Sequence, residues 1–309
     1  MKIIVAGGTG FLGQILVPEL LKAGHEIYVI GRHEERIYKI FANTVHACTW
    51  DTLNSLDTNE FEAIINLAGK NITDHRWSSK IKEKLLRSRI DTTNQLVRWG
   101  LKAVKKPHLY NASAVGIYGL QKQLEEDEIV FNETTAPIDS PNTSFANQLV
   151  TQWEQTAKKG FEMGMPVTLM RFGVVLKRGE GMLKKLELPA QYGMGAVMGS
   201  GQQPLAWIDS DDLVNAIQFL ISHPEITGPV NLVAPQYVSQ KTFTKILAQV
   251  LKKPAFLWLP SWVIKLLLGK MGEELLLSGQ TVVPQRLIEY QFDFQYPTLY
   301  SALNKEFGG

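Results

Sequence analysis

The stretch that decides the fold is Lys2–Gly13, KIIVAGGTGFLG. KIIVA (2–6) is a β-branched apolar run of strand length, and a helical pattern runs from Phe11 to Ala23, ended by Gly24. Between them stand glycines at 7, 10 and 13. In a strand–turn–helix unit the first glycine permits a tight turn. The second lets backbone N–H groups approach a pyrophosphate, and the third lets the helix pack closely on the strand. The anion then meets unpaired N–H groups and the positive end of the helix dipole. Gly7, Thr9, Gly10, Phe11, Leu12 and Gly13 are therefore the candidate dinucleotide cradle. A tight βα turn with no ligand is the alternative.

Working outward, EIYVI (26–30) is a second strand, and its end reads VIGRHEER. An acidic residue there accepts from the ribose hydroxyls of NAD. Here Gly31 and Arg32 hold the place, with His33 and Arg36 nearby. A guanidinium suits a 2′-phosphate, which a carboxylate would repel. The reading is NADP(H) in preference to NAD(H), with Arg32 as its reader. A solvated charged loop is the alternative, since Glu34 and Glu35 are interleaved.

Further strands are read at VHACTW (45–50), AIINLAG (63–69), HLYNASAVGIYG (108–119, with its loop) and PVTLMRFGVVL (166–176). Helices are read from about Ser78 to Leu101, with Ser78 as N-cap, and from about Ser144 to Met163. Pro18 is expected to kink the first helix. Residues 120–143 are polar, carry Pro137 and Pro141, and read as an irregular excursion. Strands alternating with helices argue for βαβ units and a parallel sheet. From 177 to 206 the chain turns glycine-rich, with little strand signal. AWIDSDDLVNAIQFLISH (206–223) then gives a short strand and a helix, PVNLVA (229–234) a strand, and Ser239–Leu251 a helix. Beyond Pro254, apolar helical segments dominate.

The chain has 309 residues, with 32 Lys+Arg against 30 Asp+Glu. That near-neutral balance offers no basic field for nucleic acid. Cys48 is the only cysteine, which excludes an internal disulfide and suits a reducing compartment. The first apolar run is too short for a signal segment. FLWLPSWVIKLLLG (256–269) is interrupted by Pro260 and Lys265, short of the roughly 20 apolar residues a membrane span needs. It reads as a buried or interface-facing helix, and the apolar tail around 256–277 as part of an interface, leaving room for a homo-oligomer, or as a roof over the cleft. The expectation is a cytoplasmic protein with a small-molecule substrate, no nucleic acid and no membrane.

GGTGFLG (7–13), NLAG (66–69), NASAVGIYG (111–119) and WIDSDDL (207–213), in that order, resemble the extended short-chain dehydrogenase/reductases, the NAD-dependent epimerase/dehydratase family. NLAGKNITDHRW, ASAVGIYG, LVAPQYVSQKTFT and the tail from LLLGKMGEELLL to QYPTL are similar to an atypical subfamily, YfcH-like and SDR39U1-like. That subfamily ends in a small domain of unknown function. The resemblance implies a doubly wound sheet in an NAD(P)-binding domain over residues 1–235, with substrate-side segments near 177–206. Residues 236–309 would form a smaller C-terminal substrate-side lobe, the small domain lying at about 254–302. It places Asp51 and Thr52 near the adenine, Leu67, Ala68 and Gly69 along the cofactor's middle, and Ser113 beside the nicotinamide. Asn71, Arg76 and Trp77 fall at the cleft rim, and GSGQQPLAWID (199–209), with Gln202, resembles a loop over the substrate.

Active members of the wider group carry Tyr-x-x-x-Lys on the helix after the fifth strand. An ammonium one turn from a phenol favours the phenolate and moves it toward acid–base work near neutrality. Here that helix reads SFANQLVTQWE (144–154), with Val150 near the lysine place and Phe145 or Ala146 near the tyrosine place. Ser113 matches the group's catalytic hydroxyl, or else is an ordinary strand-end serine. Tyr118 is the candidate relocated acid, or else a packing residue. The spacings Tyr118–Lys122 and Tyr237–Lys241 match the motif literally but fall off helices. Arg171 is a candidate anion contact or a structural ion-pair partner, and Val174 stands where sugar-nucleotide enzymes usually place an asparagine. Asp211 and Asp212 read as helix-start charge rather than metal ligands. Two functions remain: an NADP(H)-dependent oxidoreductase or epimerase with an atypical site, and a nonenzymatic NADP(H)-binding sensor or partner-binding protein.

Overall fold

The structure is a computed structural model that describes residues 1–123, 130–136 and 144–308. The chain opens with β1 (Lys2–Ala6), α1 (Phe11–Lys22), β2 (Glu26–Gly31), α2 (Glu34–Phe41) and β3 (His46–Thr49). Then come β4 (Ala63–Asn66), α3 (Ser79–Gly100), β5 (His108–Ala114), α4 (Phe145–Glu162) and β6 (Val167–Phe172). Next come β7 (Val174–Leu176), α5 (Gly181–Gln191), β8 (Ala196–Met198), β9 (Pro204–Leu205), β10 (Trp207–Asp209), α6 (Ser210–Ser222) and β11 (Gly228–Leu232). The tail holds β12 (Val238–Ser239), α7 (Gln240–Val250), β13 (Leu257–Leu259), α8 (Ser261–Leu268), α9 (Lys270–Leu275), α10 (Gln285–Glu289) and α11 (Leu299–Phe307).

Seven strands form one sheet in the order β11-β6-β5-β4-β1-β2-β3. Every pairing within it is parallel. The chain winds outward from β1 to β3, then returns to β4 on the other side of β1. That reversal opens a crevice at the carboxyl ends of β1 and β4, where doubly wound folds bind ligands. Alternation within β1 builds both faces. Ile3 and Val5 join Leu16, Val17 and Leu20 of α1 and Ile217 and Leu220 of α6. Ile4 and Ala6 join Leu96 and Val97 of α3 and Ala157 of α4. A parallel sheet covered on both faces needs strands apolar on both sides, which is why β1 and β4 show no polar alternation.

A third core lies among the later segments of the chain. It joins Leu183 of α5, Trp207 of β10, Phe243 and Leu247 of α7, and Leu299 and Leu303 of α11. The start of α6 ties the tail to it. Asp212 accepts from the backbone N–H groups of Gln295 and Tyr296 at 2.8 and 2.9 Å, and Lys305 reaches Asp209 at 2.8 Å.

Several elements differ from the sequence reading. α2 carries little sequence signal, because its short, charged turns bury only Ile37 and Phe41. The strand expected over 166–176 breaks at Gly173, and its second half, β7, leaves the main sheet to pair with β10. α5 sits in the glycine-rich stretch, and α1 continues through Pro18 as one helix. The segment 256–269 is not one buried helix. Pro260 divides β13 from α8, and Trp258, Trp262, Leu266 and Leu267 are each about two-thirds exposed (63–67%). The excursion read over 120–143 lies partly outside the described residues; within them, Gln121 bridges to Gly279 and Phe131 to Val282.

One buried titratable group gives the fold a pH dependence. His108 opens β5, stacks on Tyr110 at 4.1 Å and bonds Thr168 at 2.8 Å. Burial pushes its pKa down from 6.5 to about 4. The unfolded chain therefore takes up this proton first. The stabilisation is full above about pH 6.5 and is lost as pH falls toward 4, about 3 kcal/mol in all. His108→Phe should flatten the dependence of the urea midpoint on pH across that window. An unchanged slope would contradict this account.

Candidate functional site

The glycine loop sits at the crevice. Gly7 takes φ +79°, and its N–H reaches back to Ile30 O of β2. A Cβ on Gly7 would lie 2.7 Å from the Leu67 backbone, so the loop rests directly on the segment leaving β4. A Cβ on Gly13 would lie 2.3 Å from Gly8 Cα, which is how α1 packs onto the turn. Gly10 is the N-cap of α1; it supplies no side-chain cap, and the first turn has no acidic residue. Phe11 and Leu12 are half-buried there, and the Thr9 carbonyl accepts from Gln14. Uncapped N–H groups behind a backbone-tight glycine turn fit a pyrophosphate.

At the end of β2, Arg32 and Arg36 are exposed, and neither meets a carboxylate among the described residues. Asp51 is exposed just after β3. The Thr52 hydroxyl accepts from Thr49 N–H at 3.0 Å and so shapes the turn after β3. Asn66, the last residue of β4, is fully buried. Its Nδ2 donates to Thr93 and Asn111 at 2.9 and 2.7 Å, and its Oδ1 accepts from Ala68 N–H. That amide ends the strand and sets the course of Leu67, Ala68 and Gly69 along the crevice.

The far side of the crevice holds a closed polar network. Ser113 Oγ donates to Glu154 Oε1 at 2.7 Å. Glu154, on α4, accepts a two-pronged pair from Arg171 Nε and Nη2 at 2.8 and 3.0 Å. Arg171 Nη1 donates to the Tyr118 hydroxyl at 2.8 Å, and that hydroxyl donates to Asn231 Oδ1 at 2.9 Å. All five residues are at most 2% exposed. Burial pushes the Tyr118 phenol above its usual range, against the pull of Arg171. Its ring stacks on Phe131. Ser113 and Tyr118 are thus brought together, turned inward and bonded to protein. Arg171, one of whose sequence readings was an anion contact, faces Glu154.

On α4, the places left by the missing pair are packed. Ala146 and Val150 lie 3.9 Å from where a Cβ of Gly116 would stand. Asn147 donates to Ile117 O at 2.6 Å, and Ser144 caps the helix through Asn147 N–H. The N–H groups of Phe145 and Ala146 also meet the Glu274 carboxylate of α9 at 3.2 and 3.0 Å. Neither literal Tyr-x-x-x-Lys spacing lies on one helix: Tyr118 ends a short 3₁₀ turn, and Tyr237 precedes β12.

The residues expected at the cleft rim meet segments from later in the chain. Asn71 closes a turn on Thr73, whose hydroxyl receives Lys185 of α5 at 2.9 Å. Arg76 stands 3.1 Å from the Cβ position of Gly269. Trp77 meets Phe145 edge-on. Gln202 is exposed, whereas its neighbour Gln203 is buried and donates to Leu276 O. Among the described residues there is no His/Cys/Asp/Glu cluster fit for a metal, and no helix long and apolar enough to cross a membrane.

Glu154, Asn231 and Glu274 were missed as site residues. Glu154 carried a signal: with Val150, Trp153 and Ala157 it falls on the buried face of α4. A carboxylate on such a face calls for a cation, and Arg171 inside an apolar strand was the available one.

A seven-stranded doubly wound sheet with a glycine cradle at its switch point defines a nucleotide-binding α/β protein. The chain belongs to the NAD dependent epimerase/dehydratase family, whose model matches residues 3–232; a domain of unknown function (DUF1731) matches residues 259–306. It is 34% identical over 301 residues to an epimerase family protein of Staphylococcus aureus (strain MRSA252), covering 97% of each chain. It is 34% identical over the same length to one of Mycobacterium bovis, covering 97% of this chain and 96% of that one. The crystal structure of human epimerase family protein SDR39U1 (isoform 2) with NADPH superposes with a TM-score of 0.88 at 29% identity, covering all of both chains.

Proposed function

We propose that this chain binds NADP(H) and works as an oxidoreductase or epimerase on a small carbonyl- or hydroxyl-bearing substrate, through a site without the Tyr-x-x-x-Lys pair. The observation that carries the reading is the uncapped, glycine-tight start of α1 with unpaired Arg32 at the end of β2. The human relative crystallised with NADPH supports it. Backbone N–H groups of the α1 turn would hold the pyrophosphate, Arg32 the 2′-phosphate, and Leu67–Gly69 the middle of the cofactor. The nicotinamide, when bound, supplies or accepts hydride. The rim residues Asn71, Arg76, Trp77 and Gln202 would face the substrate. Ser113 would polarise its carbonyl, and Tyr118 or water would move the proton.

One observation favours a second reading. Ser113 and Tyr118 must leave Glu154 and Asn231 before either hydroxyl can donate to a ligand. A protein that binds NADP(H) without turnover, as a sensor or partner-binding module, needs no such release.

Titration of NADPH and NADH tests the cofactor assignment. Arg32→Ala should weaken NADPH about 10–100-fold, the loss of one or two charge-assisted bonds, and leave NADH unchanged. Equal affinity for the two cofactors in the parent protein would end the NADP(H) assignment. Following reduced-nicotinamide absorbance against a panel of carbonyl compounds then separates the two readings. Turnover abolished by Ser113→Ala supports the enzyme; tight binding with no oxidation supports the sensor.

A further inference from the structure

The unit formed by β13 and α8 presents an apolar face that stays open among the described residues. α8 is seated by buried Ile264, whose Cγ2 lies 2.8 Å from the Cβ position of Gly272 in α9. Trp262 and Leu266, one turn apart, share the outer helix face, with exposed Leu267 beside them. Phe256 and Trp258 stand at alternate positions of the extended segment before Pro260, and they are 76% and 66% exposed. From Phe256 to Leu268 the only charged residue is Lys265, which lies 3.4 Å from Glu273.

The backbone is open there as well. β8 and β13 form a sheet of two strands. Its β8 edge is closed by α7: Gln240 accepts from Met198 N–H at 2.9 Å, and Gln240 and Thr244 donate to Ala196 O at 3.2 and 3.3 Å. The β13 edge has no such cover among the described residues. Leu259 O accepts from Gly199 N–H on the β8 side, so alternation along the strand turns the Trp258 N–H and carbonyl to the outer edge. Monomeric proteins guard an open edge with charge, a bulge or a covering segment, and LWL (257–259) carries no charge.

Area and charge point to the occupant. The three aromatic side chains leave about 100–170 Å² open each, and with the leucines the face comes to about 600 Å². That is the upper limit for a patch on a monomer, and two copies facing each other would bury about 1,200 Å², the threshold of a specific interface. With its one lysine paired, the face meets its own image without like-charge repulsion. We propose that β13 and α8 form a two-fold interface with a second copy of this chain. β13 pairs antiparallel with its counterpart about Trp258, and the faces of Trp262 and Leu266 pack alongside.

Sedimentation equilibrium of the full chain tests this. The parent protein should be a dimer at micromolar concentration. Trp262→Glu combined with Leu266→Glu should weaken the dimer about 100-fold or more, with a parent-like circular-dichroism spectrum. Trp258→Cys reads the register and keeps the test open should the glutamate variant fold poorly. Facing residues of a hydrogen-bonded antiparallel pair have Cα atoms about 5.5 Å apart, within disulfide reach, and the one native cysteine, Cys48, is buried. Mild oxidation of that variant should give a covalent dimer that dithiothreitol reverses. A parent protein still monomeric at about 100 µM overturns the proposal. So does a dimer untouched by the paired glutamates, which places the interface elsewhere, and so does a monomer that pellets with phosphatidylserine vesicles, which gives the face to a lipid surface. A dimer whose Trp258→Cys variant fails to cross-link overturns the pairing of β13 with its counterpart.

Discussion

Replacing Glu154 with alanine should cost about 3–5 kcal/mol of stability, a large fraction of what holds a domain folded. Arg171 and Glu154 are 2% and 1% exposed and meet through two hydrogen bonds. Removing the carboxylate leaves a guanidinium in the core with the Tyr118 hydroxyl as its remaining side-chain acceptor among the described residues. It also strips the acceptor from Ser113. Lys158 approaches the carboxylate only at 3.8 Å from the half-exposed end of the helix, so it compensates little. The converse change should be far milder. Glu154→Met combined with Arg171→Met removes both charges and fills the space, and buried pairs replaced by apolar groups are often neutral. Urea denaturation of the single and double variants checks both statements at once. A single-variant loss below about 1 kcal/mol would contradict a pair this enclosed.

Gly13→Ala should abolish useful cofactor binding, lowering NADPH affinity about 100-fold. The added Cβ would stand 2.3 Å from the Gly8 Cα and carbonyl oxygen. Both are backbone atoms with no rotamer to change, so α1 must lift off the turn it packs against. Overpacking of this kind costs about 1–3 kcal/mol, and each 1.4 kcal/mol is tenfold in affinity. The N–H groups that would grip the pyrophosphate belong to the displaced turn, so binding falls along with stability. Fluorescence titration with NADPH reads the first effect and thermal melting the second. Affinity within about twofold of the parent would show that the loop tolerates the shift.

The parts legible in the sequence were those whose signal is local. β1, the glycine turn and α1 follow one another within 22 residues, and strand period, glycine spacing and helical period all agree. α3 announced itself through Ser78, whose side chain accepts from Ile81 N–H as an N-cap should. What escaped depends on distant partners. The hydroxyls of Ser113 and Tyr118 bond to residues 41 and 113 positions away, and no spacing in the chain says which way either side chain turns. β7 has a strand's composition, yet it joins β10 because the chain leaves the sheet at Gly173. Pro260 was visible, but the strand before it exists only because β8 is there to pair with. The absent Tyr-x-x-x-Lys pair could be read; that Ala146 and Val150 are packed over Gly116 needed the fold.

Glu274 gives the tail a meaning beyond its own segment. Its carboxylate accepts from the first backbone N–H groups of α4, more than a hundred residues earlier in the chain. The family models leave residues 233–258 between their two matches, which invites a cut there. A polypeptide whose tail came away at that interval would leave the Phe145 and Ala146 N–H groups without this acceptor, with Ser144 as the remaining side-chain cap of α4. The two matched regions are joined by hydrogen bonds as well as by the chain between them. Gene fission at this junction would yield fragments that must find each other before either is finished.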